Sequence, residues 1–147
     1  MEGAHRQRQL TAGLLAAVVA VASDWAYLTV AVHSQNGPPA LPGIVPFITG
    51  YIAAIAAASV LGTACVLGGR SAAAKTVFLS AAAGSAALGV IGILSIGIAL
   101  LITAALLSIA AATIPPIRRP NAWVWPVSGA AAAIAALIVG FVVVGTF

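Results

Sequence analysis

From Thr76 to Thr113 the chain places 38 residues in a row without a single formal charge. As one straight helix this stretch would measure about 57 Å, at ~1.5 Å per residue, nearly twice the ~30 Å hydrocarbon core of a bilayer. Tilt absorbs a few residues of excess, not the ~18 in surplus here. Two helices of about 18 residues fit the same span, joined by a tight turn at Gly92-Ile93-Leu94-Ser95-Ile96-Gly97. The glycines at 92 and 97 permit the backbone geometry of a sharp reversal.

Lipid has to be the solvent, because the rest of the chain cannot clothe itself for water. Hydrophobic residues make up 63% of the 147 positions and charged residues 5%, with a mean hydropathy of +1.18. A soluble domain carries about 25% charged residues. The expected fold is therefore an all-α, polytopic transmembrane helical bundle forming a single domain over 1–147. Its five spans fall at about 10–32, 44–67, 76–93, 96–113 and 124–144. The alternative is four spans, with one long bent third helix.

Charge placement favours five. Arg6 and Arg8 precede the first apolar run, Arg70 and Lys75 lie in a short loop at 68–75, and Arg118 and Arg119 lie in the 114–123 loop. With two crossings between Lys75 and Arg118, all six basic residues fall on one side. The positive-inside bias then makes these residues the topology determinants, with the N-terminus cytoplasmic and the C-terminus outside. A signal peptide competes for the first run, since Ala20-Val21-Ala22 resembles a cleavage site. The run continues well past that site to Val32, which favours an uncleaved span. A pI near 10.3 invites a nucleic-acid reading, but the basic residues form no stripe or groove, so no nucleic-acid partner is expected.

Gly89–Ala111, GVIGILSIGIALLITAALLSIAA, resembles the Gly-rich helical hairpin of small multi-span bacterial membrane proteins from GC-rich, actinobacterial-type genomes. That resemblance implies membrane location and no catalytic residue. The 36 alanines, and the lack of a glycosylation sequon at Asn36 or Asn121, fit a bacterial origin and a place in the cytoplasmic membrane.

Helices associate in lipid through small residues at four-residue spacing. The runs Ala12/Ala16/Ala20/Asp24, Gly50/Ala54/Ala58/Gly62, Ala81/Ser85/Gly89, Ala104/Ser108/Ala112 and Ser128/Ala132/Ala136/Gly140 are the expected packing faces. Trp25, Tyr27, Phe47, Tyr51, Trp123 and Trp125 sit near span ends, as an interfacial belt requires.

No catalytic constellation emerges. Glu2 and Asp24 are the only acids, and Cys65 is the only cysteine, read as a small buried residue. His5, His33, Asp24 and Cys65 have none of the paired spacings of a metal site. Ser34, His33 and Asp24 make a triad only on paper, with no nucleophile elbow beside them. The chain is expected to be neither an enzyme nor a cofactor carrier.

Asp24 is the residue that needs a reason. An aspartate at mid-span costs roughly 2.5–3.5 kcal/mol on insertion scales. It marks a possible ion or proton site, with Thr49 or Tyr51 nearby; the milder reading is a group reaching the interface beside Trp25 and Tyr27. Two functions follow as expectations. The favoured one is an accessory or structural subunit, whose partners are the lipid bilayer and other membrane-protein helices or further copies of itself. The alternative is a small homo-oligomeric transporter or channel using Asp24.

Overall fold

The computed structural model describes residues 2–33, 43–92, 97–115 and 123–145. All regular structure in these residues is helical: α1 (Glu2–His33), α2 (Ile44–Leu67), α3 (Ser71–Ile91), α4 (Gly97–Ala112) and α5 (Val124–Gly145). Four of the five, α4 being the exception, are long and apolar enough to cross a membrane; α4 has 16 residues and is equally apolar. In hydrocarbon this is the expected outcome, because a helix satisfies its own backbone donors and acceptors.

The uncharged 76–113 stretch breaks in two, so the long bent third helix does not form. The Gly92 amide caps α3 on the Leu88 carbonyl, and the Gly97 amide bonds the Gly92 carbonyl, both at 2.8 Å. A side chain on Gly97 would collide with the Gly89 carbonyl. The two helices then run antiparallel, tied by Ser85 Oγ donating to the Leu100 carbonyl at 2.7 Å. At the other end Lys75 Nζ donates to the Ile114 carbonyl at 3.3 Å. Short as it is, α4 therefore returns to the level where α3 began.

The 68–75 loop is shorter than expected. Gly69 takes φ +71, the Arg70 amide reaches the Cys65 carbonyl at 2.8 Å, and the Gly69 amide reaches the Val66 carbonyl at 3.2 Å. This pair of bonds closes α2 in the Schellman manner, for which glycine is suited at the left-handed position. The reversal is complete by Arg70, so Ser71-Ala-Ala-Ala-Lys75 joins α3, as its helix-favouring alanines allow. Likewise α1 starts at Glu2, ahead of the apolar run.

Cross-contacts fix an alternating up-and-down bundle. Arg6 on α1 meets Leu67 at the end of α2, and Gln9 meets Thr113 just past α4. Helix α5 runs parallel to α3, Gly129 beside Ser80 and Ala133 near Gly84. Helices α4 and α5 flank α3 and make little contact with each other. The deepest large side chain is Phe78 of α3, fully buried against Gly13 of α1 and Gly62 of α2. Around it lie Ile52, Leu88, Leu100, Leu107 and a bed of alanines.

Two of the small-residue faces are correct. Ala12, Ala16 and Ala20 are buried on α1, and Ala81, Ser85 and Gly89 on α3. On α4 only Ala104 of the expected run is buried, while Ser108 and Ala112 are exposed. The remaining two hold only in part: Gly62 is buried and Ala58 half-buried on α2, and Gly140 meets Phe47 on α5, but Gly50, Ala54, Ser128, Ala132 and Ala136 are exposed. Beside these, the helices turn Ile52, Ile55 and Ser59, and Gly129, Ala133 and Leu137, towards their neighbours. The reason is shape: the bulky Phe78 selects Gly62, and Ser80 beside Gly129 sets how α5 sits. Phe47 and Tyr51 are also not part of a belt. Tyr51 Oη donates to the Ala133 carbonyl at 2.8 Å, and Phe47 packs edge-on against Phe141 with ring centroids 5.5 Å apart. Trp25, Trp123 and Trp125 are exposed, as interfacial anchors are.

Because lipid is itself apolar, Phe78 stabilises the bundle through contact and cavity filling, not through escape from solvent. Phe78→Ala is expected to cost about 2–3 kcal/mol, the contact and cavity share of the ~3–5 lost in a water-solvated core. Gly62→Leu should be worse, since the added side chain needs the space of the ring. Unfolding in a mild-detergent denaturant titration measures both, with exposed Leu61→Ala as the control.

Candidate functional site

The charged and polar side chains sort to the two ends of the bundle, and the ends differ in kind. At one end converge the start of α1, the end of α2, the start of α3, the end of α4 and the start of α5. Here Arg6 donates to the Leu67 carbonyl at 3.0 Å, Gln9 Nε2 to the Thr113 carbonyl at 2.9 Å, and Lys75 to the Ile114 carbonyl. These carbonyls belong to helix C-termini, where the last four lack intrahelical donors and the macrodipole is negative. Two basic residues expected only to set orientation thus also cap neighbouring helices. Sequence reasoning missed Gln9, which is buried; a polar residue one place before an apolar run is its only signal.

Of the other basic residues, Arg8 is exposed on α1 and Arg70 precedes α3 in the reversal. Arg118 and Arg119 lie outside the described residues. Two cavities open here. One, of about 820 Å³, is lined by Arg6, Gln9, Gly69, Ser71 and Ile114. The second, of about 680 Å³, runs from Lys75 and Trp123 along the groove between α4 and α5.

At the opposite end Asp24 of α1 faces Thr49 of α2 across their seam. Spacing places it where expected, on the Ala12/Ala16/Ala20 side. Asp24 Oδ1 and Thr49 Oγ1 are both buried, and neither completes a hydrogen bond of acceptable geometry. Thr49 lies only five residues into α2, so the pair sits near that end of the bundle, beside exposed Trp25. Tyr51, the other expected neighbour, is not part of this pair; its hydroxyl serves α5.

Between the ends the core is dry. Buried Ser59, Thr63 and Thr103 donate to carbonyls one turn back in their own helices, and Ser23 does the same. Such bonds leave no donor for a water file. Ile52, Phe78, Leu100 and Leu107 fill the space along the axis. Among the described residues, no polar track links Asp24 to the basic end.

Cys65 is half-buried on α2 against the core, and no three His, Cys, Asp or Glu side chains gather for a metal among the described residues. The side chains of Glu2, His5 and His33, and the whole of Ser34, fall outside the described set, so the paper triad has no described geometry.

Fold and charge placement define a multi-pass helical-bundle membrane protein. No known protein family, curated protein or solved structure matches the chain.

Proposed function

We propose that this protein is an accessory, structural subunit of a larger membrane complex in a bacterial cytoplasmic membrane, with its N-terminus in the cytoplasm. The observation that carries this reading is the outward face of α5. Only Leu137 of its described side chains is buried, while Ser128, Ala132 and Ala136 form an exposed small-residue run with Ala131 and Ala135 beside it. Helix α2 turns Gly50, Ala54 and Ala57 outward in the same way. Small residues let a second helix approach closely in lipid, and the chain's own helices do not use these faces. The filled core supports the same reading, since among the described residues no polar track crosses it for a substrate.

Mild-detergent capture of the tagged protein from its native membrane is expected to bring down a stoichiometric partner. Ala132→Leu/Ala136→Leu should reduce that recovery at least ten-fold while leaving the unfolding midpoint unchanged. Capture of this chain by itself, as a defined homo-oligomer, would reject the accessory role.

Orientation is checked separately, in a chain with Cys65 removed. A cysteine placed at Ser95 is expected to react with an impermeant thiol reagent added outside, and one at Arg118 is not. The reverse pattern would invert the topology.

One observation favours a second reading: a buried carboxylate oxygen and a buried hydroxyl, each without a hydrogen bond, at Asp24 and Thr49. A homo-oligomeric transporter would use that pair to hold a proton or small cation. Asp24→Asn in reconstituted vesicles is then expected to abolish flux; unchanged flux in a folded variant removes this reading.

A further inference from the structure

The groove between α4 and α5 has features that the accessory role does not use. Both helices pack on α3, so the strip of α3 between them is left as a floor. Ala83 and Ala86 form that floor, and Ala104 and Ala130 form the near parts of the two walls. Alanines predominate in its lining, with Leu79 and Val127 beside them, and leave a trough of about 680 Å³. It runs from Lys75 to Ala86 on α3, about 16 Å at ~1.5 Å per residue. That is half of a ~30 Å hydrocarbon core, the depth of one leaflet.

The polar end of the trough lies at the basic end of the bundle. Lys75 is half-buried there, with one of its three N–H donors on the Ile114 carbonyl, and Trp123 stands across the mouth. The other ammonium donors have capacity for a further acceptor. The neighbouring start of α5 adds the positive end of a helix dipole, with Pro126 in its first turn contributing no N–H of its own. A cationic side chain between transmembrane helices at the membrane surface attracts an anionic headgroup.

We infer that the α3/α4/α5 groove is a binding site for one anionic glycerophospholipid of the leaflet at the basic end, with an acyl chain on the Ala83–Ala86 floor and its phosphate on Lys75. The leaflet-deep length of the trough suits an acyl chain, and the charge of Lys75 selects anionic over zwitterionic lipid. The site is independent of the accessory role.

The test uses the full chain with Trp25→Phe and Trp125→Phe, so that Trp123 is the only indole. It is reconstituted in phosphatidylcholine vesicles containing a graded fraction of brominated phosphatidylglycerol or brominated phosphatidylcholine. Quenching of Trp123 should half-saturate at about a five-fold lower fraction of the brominated anionic lipid, the preference one lysine near the surface provides. Lys75→Gln should remove the preference, Lys75→Arg should keep it, and Arg70→Gln, at the same end but outside the groove, should leave it unchanged. Ala83→Phe, which fills the floor, should weaken quenching by both lipids, and an unchanged unfolding midpoint shows that the bundle persists. Equal half-saturation for the two lipids overturns the proposal, as does a preference that survives Lys75→Gln. Trp123 that neither lipid quenches, with a co-purifying protein bound over the groove, would assign the groove to a partner helix and overturn it as well.

Discussion

Lipid gives apolar helices no solvent-driven reason to prefer each other over acyl chains, so this bundle rests on how closely its backbones can approach. Phe78 is where that constraint is met. A large ring on α3 enters a recess that exists only because α1 and α2 carry glycine at positions 13 and 62. One side chain therefore touches three helices at once, and the α1–α2 and α3–α4 hairpins are held as a single body around it. Helix α5 is joined differently, through Tyr51 on the Ala133 carbonyl, the Phe47–Phe141 pair and buried Leu137. Its broad contact is with α3 alone, and this leaves most of its other faces exposed.

The polar residues divide according to what the backbone can absorb. Serine and threonine in the core return their hydroxyl protons to their own helices and become in effect small apolar residues. Ser85 does more, bonding across to α4 and helping to hold a hairpin whose second helix has only 16 residues. Asp24 cannot be neutralised that way, because a carboxylate offers only acceptors. Its position near the end of the bundle keeps the insertion cost below that of a true mid-membrane charge.

At the opposite end, positive charge acts at several scales. It gathers at one end of the bundle, meets the carbonyls at the end of α2 and just past α4 through Arg6 and Lys75, and leaves Lys75 beside a leaflet-deep trough. The same helix ends that need donors are the ones that positive-inside asymmetry brings together. Local backbone chemistry and membrane electrostatics thus ask for the same residues in the same place.

The membrane class, the helix count and the break near Gly92 were all legible in the sequence, because they follow from length, charge and glycine placement against a bilayer of fixed thickness. The inward faces of α1 and α3 were legible too, since their small residues recur on one side. The inward faces of α2, α4 and α5 were legible only in part, at Gly62, Ala104 and Gly140. In an alanine-rich helix every face offers a small-residue run, and only the partner's shape decides which is used: Phe78 selects Gly62, and Ser80 fits beside Gly129. For the same reason the sequence presents Asp24 as a lone acid, whereas its pairing with Thr49 and its separation from Tyr51 depend on the register of α1 against α2. The alanine trough under Lys75 is likewise invisible along the chain, because it requires α4 and α5 to flank α3 without meeting. Periodicity and charge fix which segments enter the membrane; steric fit between helices, with no hydrophobic gradient to guide it, decides how they face each other.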